Sequence, residues 1–241
     1  MQTWNPWHGC FKISAGCKNC YMYASDLRYD RNPQDIHRTA SFDLPARKKR
    51  SGSWSFCPGG GSVFCCGTSD FFLKEADPWR EEAWNMIRNR PDLDFLIVTK
   101  RIHRAAETFP PDWGNGWENV RICSTCENQE TADFRIPILL DLPIRHRIIA
   151  HEPMLEAIRI EDLIGGRAGL IENVNCGGES GEYARLCRYD WVLDTREQCR
   201  RLGISYTFRQ TGARFEKDGR LYRIPRRLQG SQARKAGIDL Y

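Results

Sequence analysis

Strand and helix signals alternate along almost the whole chain, and this alternation restricts the fold more than any single motif. Short runs rich in β-branched and aromatic residues at 63–66, 95–99, 120–124, 147–150, 170–176 and 205–208 read as strands. Between them, 75–90, 131–140, 160–164 and 191–202 read as helices; in the first, Trp79, Ala83, Met86 and Ile87 fall at helical spacing. Residues 101–107 can turn helical before the Pro110-Pro111 break. With an amino-terminal unit included, about seven strands are expected. A strand that continues in the same direction needs a crossover, so the order predicts an α/β protein built on a parallel sheet.

The residues just past each strand favour a partial or complete TIM-like (β/α) barrel over an open doubly wound sheet, because barrels carry their reactive groups at the carboxyl ends of the strands. Ser69 and Asp70 come after the second strand, Lys100 and Arg101 after the third, and Glu127, Asn128 and Gln129 after the fourth. Glu152 comes after the fifth, Glu179 and Ser180 after the sixth, and Gln210 after the seventh. Any one of these reads as a helix cap or loop residue. Their succession predicts a polar rim. Within it, residues 176–181 run Cys-Gly-Gly-Glu-Ser-Gly. Gly177 and Gly178 would let a backbone approach a ligand, and Glu179 can accept hydrogen bonds from an amine. The alternative is a tight turn capped by Ser180.

The amino-terminal run W-N-P-W-H-G-C-F-K-I-S-A-G-C-K-N-C-Y holds Cys10, Cys17 and Cys20, with six residues between the first two and two between the last. Three thiolates can hold an iron–sulfur cluster with one iron left open to substrate or cofactor. The spacing also admits zinc, with His8 completing a set of three Cys and one His. No second knuckle of matched spacing is present, which favours the cluster. Eleven cysteines, an odd number, in an enzyme-sized chain without an export signal read as reduced thiols in a cytoplasm. No apolar run of about 18 residues appears, so no membrane span is expected.

The net charge of +5 is unevenly spread. From Arg209 to Tyr241 there are nine Lys or Arg against three Asp or Glu, so the preceding 208 residues sit at about −1. A second basic run covers Arg47 to Arg50. Such patches can grip phosphates, although aromatic residues are sparsely interleaved there and a solvated tail reads equally well. The expected organisation is one main domain over 1–212 with a basic carboxyl-terminal extension over 213–241, packed on or near it.

The blocks T-W-N-P-W-H-G-C, G-T-S-D-F-F, L-I-V-T-K-R, E-N-Q-E-T-A-D-F-R-I-P, H-E-P-M-L, C-G-G-E-S-G and F-R-Q-T-G succeed one another from Thr3 to about Gly212. In this ordered succession the chain resembles the phage-associated three-cysteine-motif proteins, a family similar to radical S-adenosylmethionine enzymes. The resemblance implies a barrel whose cluster loop lies at the carboxyl-terminal rim of the strands. There Cys10, Cys17 and Cys20 would hold a 4Fe-4S cluster whose open iron chelates S-adenosylmethionine. It further implies an external electron donor and a 5′-deoxyadenosyl radical that abstracts hydrogen from a substrate, with a nucleotide or nucleic acid favoured and a partner protein also conceivable. Asp70, Lys100, Arg101, Glu127 and Gln210 are the expected catalytic group. Asn128, Glu152, Gly177, Gly178, Glu179 and Ser180 are the expected cofactor contacts. The six-and-two cysteine spacing departs from the three-and-two of most radical enzymes, and Arg209 stands where the related block usually has Lys, keeping the charge but adding a planar fork.

Cys57, Cys65, Cys66, Cys123, Cys126 and Cys176 are candidates for a second cluster, against the commoner use of strand cysteines as small buried apolar groups. Cys187 and Cys199, on the last helical region, read as structural. Two other classes compete: a metal-dependent hydrolase using Asp70, Glu127 and Glu152, and a non-catalytic nucleic-acid-binding protein in which a metal only ties down the loop.

Overall fold

The computed structural model describes the chain from Met1 to Tyr241. In chain order it runs β1 (Gln2–Trp4), β2 (Trp7–His8), α1 (Tyr21–Arg28), β3 (His37–Arg38), β4 (Val63–Cys65), α2 (Asp77–Arg88), β5 (Phe95–Thr99) and β6 (Val120–Thr125). It continues with α3 (Gln129–Asp141), β7 (His146–His151), α4 (Ile160–Ile164), β8 (Ile171–Gly177), β9 (Leu186–Arg188), α5 (Tyr189–Leu202), β10 (Ser205–Gln210), β11 (Arg214–Lys217), β12 (Arg220–Arg223) and α6 (Arg226–Lys235). Seven strands form a sheet in the order β1-β4-β5-β6-β7-β8-β10. The β1–β4, β4–β5, β7–β8 and β8–β10 pairings are parallel, with Val63 standing between Gln2 and Phe95. The α/β class and the parallel sheet are therefore as the alternation predicts.

The central strands carry the most continuous burial, from Ile122 to Thr125 in β6 and from Arg147 to His151 in β7, as befits strands covered on both faces. In β5 burial alternates through Phe95, Ile97 and Thr99. The inward face of α2 is Arg80, Ala83, Trp84 and Ile87, so Trp84 enters the core in place of the expected Trp79. Arg80 can join this face because its guanidinium donates to the carbonyls of Phe71 and Leu73. Trp84 in turn packs against Phe71 and Trp113 and donates to the Thr108 carbonyl at 2.8 Å. Residues 101–107 correct the expected helix: they form two one-turn 3₁₀ segments closed by Arg104 N–H to Arg101 O and Thr108 N–H to Ala105 O. The stretch ends too soon at Pro110 for an α-helix to propagate.

The chain divides into two compact units, one of residues 1–11, 22–123 and 142–146 and the other of residues 12–21, 124–141 and 147–241. The basic segment 213–241 is part of the second unit, and its β11 and β12 form a second sheet with β9 in the order β12-β11-β9. Residues after α6 line the free edge of β10: Tyr206 and Leu240 exchange backbone hydrogen bonds of 2.9 Å, and Asp239 accepts from Phe208 N–H at 2.8 Å. An edge strand that would otherwise expose its amides is thereby covered. No helix of the structure is long and apolar enough to cross a membrane.

Candidate functional site

In the first unit, the ends of β4 and β5 converge on Asp70. Its Oδ1 accepts from Thr99 Oγ1 at 2.7 Å and Phe72 N–H at 3.0 Å, and its Oδ2 from Lys100 N–H at 2.9 Å and Arg101 Nη1 at 3.3 Å. Asp70 and Arg101 are 4% and 6% exposed. Arg101 then reaches the cysteine motif, with Nη1 3.5 Å from Cys10 Sγ and Nη2 donating to Phe11 O at 2.7 Å. Burial works against the Arg101 charge, but the Asp70 carboxylate and Cys10 outweigh it and raise its pKa. A fixed cation beside the sulfur is the electrostatic setting in which a cysteine serves as a thiolate ligand. Lys100, half-buried at the end of β5, makes no hydrogen bond or ion pair with its ammonium group.

In the second unit, two carboxylates hold the loop that carries Cys17 and Cys20. Glu127 is fully buried; its Oε1 accepts from Ser14 Oγ and, at 3.0 Å, from Gly16 N–H, and its Oε2 from Arg135 Nη1 at 2.7 Å. Gly16 is needed here, because a Cβ at that position would lie 2.8 Å from Glu127 Oε1. Glu179 accepts from Asn19 Nδ2, Arg185 N–H and Arg185 Nε, each at 2.9 Å. Arg185 also donates to Ala15 O at 2.9 Å. Both Glu179 oxygens are thus engaged by loop and side-chain donors.

Burial tends to raise the Glu179 pKa, but the Arg185 side chain and amide, with Asn19, more than compensate and hold it below the ordinary glutamate value. A depressed carboxyl pKa stabilises the folded state above the unfolded pKa, about 4.3, and that stabilisation is lost as pH falls through the lower folded value. Glu179→Gln is therefore expected to be less stable than the parent at neutral pH. Urea titrations should show the gap narrowing as pH drops below about 4. A gap independent of pH would contradict this account.

A third cluster joins the ends of β7, β8 and β10. Gln210 Nε2 donates to Glu152 Oε1 at 2.5 Å, Arg209 Nε lies 3.6 Å from Glu152 Oε2, and Ser180 Oγ lies 3.0 Å from Gln210 Oε1 and 2.8 Å from Gln229 Oε1 of α6. The paired glycines serve this packing. A Cβ on Gly177 would meet Glu152 at 2.9 Å, and one on Gly178 would lie 2.3 Å from Thr211 O. The Gly178 amide donates to Gln210 O at 3.1 Å, so it is committed within the protein and not turned to a ligand. Asn128 is a helix cap: its Oδ1 accepts from Thr131 N–H at 3.1 Å at the start of α3.

No three His, Cys, Asp or Glu side chains are gathered into a group that could hold a metal ion. His8, which the zinc alternative would use as a fourth ligand, is paired at 2.8 Å with Asp26. None of the eleven cysteines forms a disulfide. Cys10, Cys17 and Cys20 are half-buried; Cys65, Cys66, Cys123, Cys126, Cys176, Cys187 and Cys199 are buried; Cys57 is exposed. Burial pushes the thiols of Cys65, Cys66 and Cys176 far up, in keeping with small buried apolar groups. Cys187 lies on β9, not on a helix. Cys10 belongs to the first unit and Cys17 and Cys20 to the second.

Ser14, Gly16, Asn19, Arg135, Arg185 and Gln229 have structural roles at these clusters that sequence reasoning missed. Ser14, Gly16 and Asn19 lie inside the cysteine motif and Arg135 inside the block E-N-Q-E-T-A-D-F-R-I-P; no such signal points to Arg185 or Gln229. A family described as protein of unknown function (DUF5131) matches residues 1–238. No curated protein and no solved structure matches the chain.

Proposed function

The chain belongs to the DUF5131 family, and we propose that it is an iron–sulfur enzyme of the radical S-adenosylmethionine type built on a partial TIM-like barrel. The observation that carries this reading is the state of the cysteine motif: three half-buried thiols outside any disulfide, with a buried guanidinium at Cys10 and two carboxylates fastening the loop of Cys17 and Cys20. Cys10, Cys17 and Cys20 would hold a 4Fe-4S cluster. A cluster held there would supply one-electron reduction of S-adenosylmethionine and, through it, hydrogen-atom abstraction from substrate.

The chain's own residues supply position and charge. Arg101 sets positive charge against Cys10 and is itself oriented by Asp70. Glu127 and Glu179 act as positioning residues for the loop. Lys100 keeps an uncommitted ammonium for a carboxylate or phosphate, and Glu152, oriented by Gln210, is the acceptor for a cofactor amine. An external electron donor is required, and the basic carboxyl-terminal segment favours a nucleotide or nucleic acid as substrate.

The test is anaerobic purification and reconstitution, with iron and sulfide counted per chain. Dithionite and S-adenosylmethionine are then added and 5′-deoxyadenosine is sought. The expected result is a brown protein that forms 5′-deoxyadenosine, with iron lost on replacing any of Cys10, Cys17 or Cys20 by Ala. A chain that retains no iron, or a fully loaded one that forms no 5′-deoxyadenosine, would refute the assignment.

A further inference from the structure

The second unit carries a cleft of about 350 Å³ with no part in the chemistry above, lying where β10, the β9–β11–β12 sheet and α6 meet. That volume is within the range of about 300–1,000 Å³ typical of small-molecule sites. Buried Phe208 and Phe215 line it, ring centroids 6.1 Å apart, together with half-buried Tyr189 and exposed Tyr222. Lys217 and Lys235 stand at its walls, Lys217 Nζ 5.0 Å from the Tyr189 ring centroid, and Thr211 and Gln232 add polar groups. None of the eight Lys and Arg from Arg214 to Lys235, of which Lys217 and Lys235 line the cleft, makes an ion pair. Of the three acids in the basic segment, Glu216 is taken by Arg188 from outside it, at 3.9 Å. The buried or half-buried Arg101, Arg135 and Arg185, by contrast, each have a carboxylate.

We infer that this cleft binds single-stranded nucleic acid, one unstacked base entering among the aromatic rings while the unpaired cations of β11, β12 and α6 hold the flanking phosphates. Every base offers a π-face to an aromatic platform, and a strip of uncompensated cations tracks a phosphate backbone without reading sequence. All four residues of β12 are exposed, Arg220 and Arg223 flanking Leu221 and Tyr222, and Arg220 lies 5.4 Å from the Tyr222 ring centroid. The strand thus offers a ring and cations to the same ligand. A duplex keeps its bases stacked and cannot fill the cleft, which selects single strands. The inference does not depend on cluster chemistry and is tested on full-length chain without iron.

Fluorescence anisotropy with labelled single-stranded and duplex oligonucleotides of about 15 nucleotides is the experiment. Single strands are expected to bind more tightly, with log K falling linearly in log salt between about 50 and 200 mM. Tyr222→Ala should weaken single-strand binding about tenfold with the salt slope unchanged, and Tyr222→Phe should restore it. Lys217→Ala and Lys235→Ala should each reduce the slope by about 0.7. Tyr222 and Lys217 are exposed, so unchanged melting temperatures will show that the variants fold. No binding at low salt overturns the inference. So does duplex bound as tightly as single strand, affinity indifferent to Tyr222→Ala, or binding only to vesicles of anionic lipid.

Discussion

Glu127→Ala is expected to lower the melting temperature by about 6–20 °C, from a loss of about 3–5 kcal/mol at about 2–4 °C per kcal/mol for a chain of this size. Removing one member of a buried ion pair leaves the other charge uncompensated in a low dielectric. Here the orphan is Arg135, 3% exposed, whose remaining partner is the carbonyl of Thr125 at 2.7 Å. The same substitution takes the acceptor from Ser14 Oγ and Gly16 N–H, so the loop around Cys17 loses its buried anchor. Trypsin should then cleave faster after Lys12 and Lys18. Glu127→Gln keeps an oxygen for Gly16 and should lose less. A melting temperature of the Ala variant within about 2 °C of the parent would show that the pair does not hold the unit together.

Asp70→Ala is expected to cost a similar amount, about 3–5 kcal/mol, by leaving the Arg101 guanidinium and the Phe72 and Lys100 amides without their shared acceptor. Calorimetry and urea unfolding measure the loss. Arg101→Met alone should also destabilise, while the Asp70→Ala/Arg101→Met double variant should lose clearly less than the sum, because neither charge is then stranded. Strict additivity would mean that the two residues act separately and that Asp70 does not orient the cation beside Cys10.

The strand ends explain which parts of the site could be read from sequence. Asp70, Lys100, Arg101, Glu127, Glu152, Glu179 and Gln210 stand at or just past the carboxyl ends of β4, β5, β6, β7, β8 and β10, because strand boundaries are local and a polar residue after an apolar run is visible in one dimension. Their partners are not local. Asn19 meets Glu179 across 160 residues and Gly16 meets Glu127 across 111, so no periodicity or spacing could announce either contact. Asn128 caps α3, the bland reading of that residue, and Gly178 spends its freedom on the approach of Thr211.

The basic segment shows the same division from the other side. Its charge is evident from composition, but its aromatic company is not: Tyr189 and Phe208 come from upstream elements and join Phe215 and Tyr222 only once β9, β10, β11 and β12 are assembled. The strands β9, β11 and β12 are too short and too charged for a period-two signal, and α6 buries little more than Gln229 and Ala233, so its pattern reads as a solvated tail.

By itself, the sequence determined the alternating elements, the parallel sheet and the residues at the strand ends, since each depends on hydrophobic period and turn chemistry within a few neighbouring residues. Tertiary structure alone decided which carboxylates would become buried anchors, which cysteines would be sealed as apolar groups, and which cations would stay unpaired. Those outcomes depend on desolvation and on partners distant in the chain, and both arise only when the segments are brought together.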